Sequence, residues 1–400
     1  MESLGAATTQ FGFDLFKELS KRNSGNVFFS PASISTAIGM LLLGARGATA
    51  AQLQKVLFSE KDTENSRTKA EEKEVGDLPY HVTKIEKTEE IHHQFQMLLS
   101  ELSKLNNYYE LKIANRLFGE KTYLFLQKYL DYVEKYYNAS LEPVDFINAA
   151  DESRKKINSW VESQTHEKIK DLFPDATLSS STKLVLVNVV SFKGQWDRAF
   201  KKEHTKEEAF WLDKGTSKPV MMMAQRRSCS FALLEDLQAK LLGIPYKNGD
   251  LSMFLLLPDD VDGLEEMINK ISPEELVEWT SPGQLEDRPV DLRLPRFEVE
   301  DSYDLEAALA ALGLGGAFSE RGADYSGMSP HSGLHAQKFL HRSFVAVTEE
   351  GTEAAAATGA GFGVTSVPGH ETFHCDHPFL FFIRHNGSDS IIFFGRFFSP

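Results

Sequence analysis

The segment 349–366, EEGTEAAAATGAGFGVTS, constrains the fold of this chain more than any other. It lies near the C-terminus between two strongly apolar stretches. From Gly351 to Gly361 it carries no large apolar side chain; alanine fills 354–357, and glycine stands at 359, 361 and 363. Such a segment cannot anchor a core. It holds too much alanine for an ordinary turn and too much glycine and threonine for a stable helix. The fold must therefore have a use for a smooth, thin, almost uncharged ribbon.

The rest of the chain supplies ample core material. Of its 400 residues, 42% are hydrophobic and 25% charged, as in soluble globular proteins. The formal net charge is −15, and the basic clusters (154–156, 201–202 and Arg226-Arg227) are short and dispersed among acids. Both features argue against a nucleic-acid partner. The sequence has no run of about 18 apolar residues, so no membrane-spanning helix is expected. The N-terminal MESLGAATTQFGFDLF lacks the basic head and apolar run of a cleavable signal. The two cysteines, Cys229 and Cys375, are far apart. The expectation is a cytoplasmic protein with free thiols.

Periodicity places the main elements. Phe11, Leu15, Phe16 and Leu19 share one helical face. Ser30-Pro31 is a helix start: a hydroxyl to cap free amides, then a proline where no amide is needed. The stretch after it is apolar nearly all round, which predicts a deeply buried helix. Ser30 and Ser33 then become buried hydroxyls in need of partners, and bonds back to their own helix are the simplest supply. Segment 59–90 is charged and short of large apolar residues, and is expected to be an exposed interhelical loop, with helix resuming at Ile91. KLVLVNVVSF at 183–192 reads as a strand buried on both faces, which obliges the Asn188 amide to find hydrogen bonds. From 208 onward short strands dominate, including separate ones at 220–223 and 230–234, and the chain closes on a hairpin of 379–383 and 391–394. Helices early, strands late and no evident linker predict one α+β domain over 1–400, with more than one sheet.

Catalytic patterns are missing from the sequence. Ser326 and Ser329 lack the Gly-x-Ser-x-Gly frame of a nucleophile elbow. Cys229 lies in no catalytic-thiol pattern, and no phosphate loop ends in Gly-Lys-Ser/Thr. His370, His374, Cys375 and His377 are spaced too loosely for a zinc pattern, and a loop running into a strand is the simpler account. The expectation is no cofactor, no metal and no enzyme activity.

The ribbon's frame has a counterpart. EEGTEAAAAT at 349–358 resembles the hinge of an inhibitory serpin's reactive-centre loop. The likeness extends over the whole chain. FFSPASISTAIGMLLLGARGATAAQL is similar to that family's buried second helix and the segment after it. KLVLVNVVSFKGQW is similar to the third strand of its large central sheet. DLRLPRFEVE, ADYSGMS and HCDHPFLFFIRHNGSDSIIFFGRFFSP match in order. The absent signal, the charged loop and the Ser-Pro ending resemble the ovalbumin-like intracellular clade, and within it the squamous-cell antigen group. The resemblance implies a serpin fold of three β-sheets and about nine helices, with an exposed reactive-centre loop at 349–370. It also implies a monomer that inhibits proteases. In that mechanism a protease cuts the loop, and the cut loop inserts into the central sheet and drags the tethered enzyme to the far end.

Carried over by position, the hinge comprises Glu349, Glu350, Gly351, Thr352, Glu353, Ala354, Ala355, Ala356, Ala357 and Thr358. The scissile bond is Thr365-Ser366. The sixteen residue steps from Glu349 to Thr365 reach ~50 Å as a strand, enough to cross a large sheet. Alternation turns Thr352, Ala354, Ala356, Thr358, Ala360 and Phe362 inward on insertion. All but the last are small enough to enter a core without clash, and Glu353 stays outside. Ser30, Ser33, Asn188 and His341 match the family's buried polar network that controls sheet opening, which displaces the self-satisfied reading of the two serines. Trp196 matches a tryptophan under the point where the loop enters the sheet, and Glu349 and Arg296 match a pair at the top of the sheet. No lysine or arginine lies between Ser343 and Ile383, so a protease that needs a cation is a poor target. Val364 and the family likeness favour papain-like cysteine cathepsins as partner. An elastase-like serine protease reading Thr365 comes second, and a chymotrypsin-like enzyme cutting after Phe362 third. A non-inhibitory serpin acting as a binding protein is the alternative.

Overall fold

The computed structural model describes residues 4–58, 80–104, 107–164, 172–350 and 369–400. Among these, nine α-helices and fourteen strands follow one another. The order is α1 (Leu4–Arg22), β1 (Val27–Phe29), α2 (Pro31–Gly44), α3 (Gly47–Phe58), α4 (Tyr80–Leu102), β2 (Tyr109–Glu120), α5 (Gln127–Tyr137), β3 (Ser140–Val144) and α6 (Phe146–Gln164). Then come β4 (Leu184–Gly194), β5 (Lys206–Trp211), β6 (Ser217–Leu234), β7 (Ala239–Pro245), β8 (Leu251–Pro258), α7 (Leu264–Lys270) and α8 (Pro273–Thr280). The last are β9 (Glu286–Pro295), β10 (Phe297–Asp304), α9 (Glu306–Leu309), β11 (Lys338–Val347), β12 (Glu371–His374), β13 (Phe379–His385) and β14 (Ser390–Phe397).

Five strands form one sheet in the order β10-β11-β4-β2-β3. At its centre β11 and β4 run parallel, in register from Lys338↔Val185 to Ala346↔Lys193. Their outer neighbours β10 and β2 are antiparallel to them. The other nine strands follow β1-β14-β13-β8-β7-β6-β9-β12, with β5 on β6. This larger sheet is two sheets joined along β6, an 18-residue strand. One end of β6 pairs β5, the middle pairs β9, and the far end pairs β7. The three expected sheets are therefore present as two hydrogen-bonded networks. The reading of two short strands here is corrected: Gln225, Arg226 and Arg227 interrupt the apolar pattern, but the ladder with β9 continues through them.

β4 explains its own apolar run. Leu184 and Leu186 join a core with α1, α2 and α3; Val190 and Phe192 join a second core between the sheets; Val185, Val187 and Val189 pack beneath Ile157 and Val161 of α6. Both faces are buried, as a continuous apolar strand requires. Asn188 falls between the first two cores. β11 repeats the pattern, with Phe339 in the first core, Val345 and Val347 in the second, and His341 and Ser343 between. α2 threads beneath this seam. Ser30 caps it by accepting from the Ser33 amide at 3.2 Å, and every residue of the helix except Leu43 is buried.

One boundary differs from expectation. α4 begins at Tyr80, eleven residues before Ile91. Lysine and glutamate are strong helix formers, so the charge of 84–90 is compatible with helix and does not by itself signal a loop. The remainder of the expected loop, 59–79, lies outside the described residues.

Candidate functional site

The seam across the five-stranded sheet is one directed chain of hydrogen bonds. The Ser30 amide donates to His341 Nε2 at 3.0 Å, so that nitrogen carries no proton. The proton is therefore on Nδ1, which donates to Asn188 Oδ1 at 2.5 Å. Asn188 Nδ2 then donates to Ser33 Oγ at 2.6 Å and to Asn115 Oδ1. Asn115 Nδ2 donates to Thr36 Oγ1 at 3.3 Å, and Thr36 Oγ1 to the Ser33 carbonyl at 2.7 Å. Ser30 Oγ donates to the Ile392 carbonyl at 2.5 Å, and Ser343 Oγ to the Phe28 carbonyl at 3.1 Å. Register puts Tyr303, His341, Asn188 and Asn115 in one lateral row over four strands. Ser30, Ser33, Asn188 and His341 are all fully buried. Burial pushes His341 down to about 3, so the ring is neutral, as its acceptor role demands.

A second constellation sits at the end of β11 that leads into the ribbon. Three successive carbonyls are taken by one segment. Thr348 accepts from Trp196 Nε1 at 2.8 Å, Glu349 from the Phe200 amide at 3.0 Å, and Glu350 from the Trp196 amide at 3.1 Å. Trp196 is buried and stacks on Tyr246, with centroids 4.5 Å apart and planes at 10°. The Glu349 carboxylate accepts from Arg296 at 3.2 Å and from Thr205 Oγ1 at 2.9 Å. Glu349 is only 5% exposed and Arg296 45%, so this is not the fully exposed pair whose worth would be negligible. Lys193 and Glu350, 3.2 Å apart and both half exposed, form a more open pair of small worth.

The structure thus gathers Ser30, Ser33, Asn188 and His341 at the sheet centre, and Glu349, Glu350, Trp196 and Arg296 at its upper end. Gly351, Thr352, Glu353, Ala354, Ala355, Ala356, Ala357, Thr358, Phe362, Val364, Thr365 and Ser366 lie outside the described residues. Sequence reasoning missed Asn115, Thr36, Phe200 and Thr205. Only the β2–β4 register brings Asn115 beside Asn188, and the contacts of the other three, Thr36 to Asn115 and Phe200 and Thr205 to Glu349, are likewise made by the fold and announced by no motif. Two of the histidines weighed as metal ligands, His374 and His377, have other contacts. His377 Nε2 bonds the Pro258 carbonyl at 2.6 Å and Nδ1 bonds Asp376 at 2.8 Å, while His374 lies 3.6 Å from Asp291.

The family profile described as Serpin (serine protease inhibitor) matches residues 6–400. The chain is a serpin. This serpin is 74% identical to Serpin B13 of Homo sapiens over 400 residues and 54% identical to Serpin B3 of Homo sapiens over 401, each covering 100% of both chains. Its fold is similar to that of uncleaved ovalbumin, with a TM-score of 0.87, 36% identity and 100% of each chain covered. A structure of maspin gives 0.85 and 32%, covering 99% of this serpin and 98% of maspin. The function of this serpin is accordingly of the protease-inhibitor type; serpins bind target proteases and are generally inhibitors rather than enzymes. No helix among its described residues is long and apolar enough to cross a membrane.

Proposed function

We propose that the protein is a suicide inhibitor of proteases, cut at Thr365-Ser366, whose cleaved ribbon then enters the five-stranded sheet between β11 and β4. The observation that carries this reading is the parallel pairing of those two strands, held over residues 338–346. The ribbon is continuous with the end of β11. If it folds back between the two strands, it runs antiparallel to both. One parallel ladder, the weaker kind per residue, is then replaced by two antiparallel ladders. The inward positions Thr352, Ala354, Ala356, Thr358 and Ala360 suit a strand that must become buried.

In this reading the seam is the lock between the parting strands, because insertion severs the His341–Asn188 bond. The grip of Trp196 and Phe200 on 348–350 holds the point where insertion begins, and Glu349 with Arg296 and Thr205 braces it. Papain-like cysteine cathepsins are the favoured targets, on the strength of branched Val364 and the absence of any cation near the scissile bond. Elastase-like serine proteases are second, and cleavage after Phe362 is third. Two buried, unpaired cysteines, Cys229 and Cys375, suit a cytoplasmic setting.

The test is incubation with a papain-like and an elastase-like protease, with intact mass locating the cut. The expected result is a trapped complex at near-equal stoichiometry and a large rise in thermal stability of the cleaved chain. Simple turnover without stabilisation would instead support a non-inhibitory binding protein.

A further inference from the structure

The segment that grips the ribbon's root is itself gripped from behind. Arg227 on β6 meets Asp197 with both arms of its guanidinium: Nη1 donates to Oδ1 at 2.7 Å and Nη2 to Oδ2 at 2.8 Å. The Arg227 side chain is 6% exposed and that of Asp197 33%. Two residues earlier, Gln225 Nε2 donates to the Arg198 carbonyl at 3.2 Å, while its Oε1 accepts from Arg227 Nη1 at 3.4 Å. In the sequence Arg226-Arg227 reads as a stray basic pair. The fold makes one of them a strut. A planar guanidinium holding a carboxylate through two parallel bonds fixes orientation as well as distance, which a lysine cannot do.

The strut closes a circuit. Arg227 lies opposite Val290 on β9, and Val290 lies opposite Glu371 on β12. Glu371 opens the strand that continues the far end of the ribbon. On the other side, Asp197 follows Trp196, whose amide holds the Glu350 carbonyl at 3.1 Å. The far end of the ribbon therefore runs into this lateral row, and the Arg227–Asp197 pair joins the row to the segment that grips the root. The gripping segment has other supports: the Asp197 amide donates to the Pro245 carbonyl at 3.2 Å, and Trp196 stacks on Tyr246. Loss of the strut would loosen the segment without unfolding it.

We propose that Arg227, paired with Asp197, is a positioning residue of the inhibitory reaction. It presses the 195–200 segment against the ribbon's root and so sets how fast the hinge leaves its grip. It acts through Asp197 and Trp196, away from the scissile bond. The proposal rests on the suicide-inhibitor reading, in which insertion races against hydrolysis of the acyl-enzyme. A looser grip speeds insertion and raises the fraction of cleavage events that end in trapping.

The experiment counts inhibitor molecules consumed per protease molecule trapped, with urea midpoints measured in parallel. It uses a protease that cuts at Thr365-Ser366 and compares Arg227→Gln, Asp197→Asn, the double variant, Arg227→Lys and a control, Arg384→Gln. Arg384 is equally buried at 6% exposure, bonds Asp389 and the Thr280 carbonyl, and lies three strands from β6. The expected result is a several-fold lower turnover fraction in each single variant and no further fall in the double, because the two residues act as one unit. Arg227→Lys should lie between, and Arg384→Gln should lose stability with its partition unchanged. Equal partition in wild type and Arg227→Gln, or the same fall in Arg384→Gln, overturns the strut. A wild-type chain that is merely consumed, with no trapping at all, overturns the inhibitory reading itself and the strut with it.

Discussion

His341 and Asn188 face each other in register across the parallel strands β11 and β4, and the imidazole Nδ1 donates to the amide oxygen at 2.5 Å. The bond is one link in a chain with a single direction, from the Ser30 amide to Thr36. A directed chain cannot lose one member quietly. Each removal leaves a donor on one side and an acceptor on the other, and every member except half-buried Asn115 is out of reach of water.

Asn188→Ala should therefore be costly. It orphans His341 Nδ1, Ser33 Oγ and Asn115 Oδ1 together. At about 1–3 kcal/mol for an unsatisfied buried group, a loss of about 3 kcal/mol or more is expected. Urea unfolding of wild type and variant checks this, with the slope unchanged if both unfold in the same way.

Stability should fall in acid for a specific reason. Burial pushes His341 from 6.5 down to about 3, and burial with the neighbouring His93 pushes His92 down to about 4. In both, the unfolded chain takes the proton first. Their contribution is full above pH 6.5 and is lost as pH falls toward 4 for His92 and 3 for His341. His377 behaves in the opposite sense. Burial works against its charge, but Asp376 and the Pro258 carbonyl outweigh that and raise it, so its contribution is full below 6.5 and fades as pH rises. Urea midpoints between pH 4 and 7 should slope downward toward acid, and His341→Gln should flatten the slope by about one proton.

Glu349→Ala removes the acceptor of both Arg296 and Thr205. A loss of about 1–2 kcal/mol is expected, since Arg296 keeps partial access to water. Hydrogen exchange at the Trp196 and Phe200 amides should quicken, because their acceptors at 349 and 350 are no longer braced. Glu349→Gln, which keeps an oxygen for Thr205, should fall between.

Thr352→Arg tests the direction in which the ribbon faces on insertion. A charge at an inward position cannot be buried without large cost. The variant should be cut at the same bond and at a similar rate, yet release active protease, and its cleaved form should show little of the thermal gain. The neighbouring Glu353→Arg should trap normally.

Much of this was legible in the chain. The apolar run of β4, the Ser30-Pro31 helix start and the closing hairpin each declare themselves through local pattern. The ribbon declares itself through what it lacks. The seam was legible only through family likeness, because a buried asparagine and a buried histidine 153 positions apart carry no periodic signal. Asn115 was not legible at all: nothing local ties it to Asn188 until β2 and β4 are set in register. β6 misled because Gln225 and Arg227 look like surface residues, yet both are buried by the segment they brace. Helix α4 misled in the opposite way, since charge favours exposure and helix alike.

Trp196 lies flat against Tyr246, sealed from water, and gives its ring proton to the carbonyl of Thr348. The polar edge of that indole is thus occupied by the root of the ribbon itself. When the root moves, the ring loses both its acceptor and its dry surroundings, and its emission should redden and dim. The molecule carries its own light signal for the moment the sheet parts, so that step can be timed in an unlabelled sample against the slower chemistry of the protease.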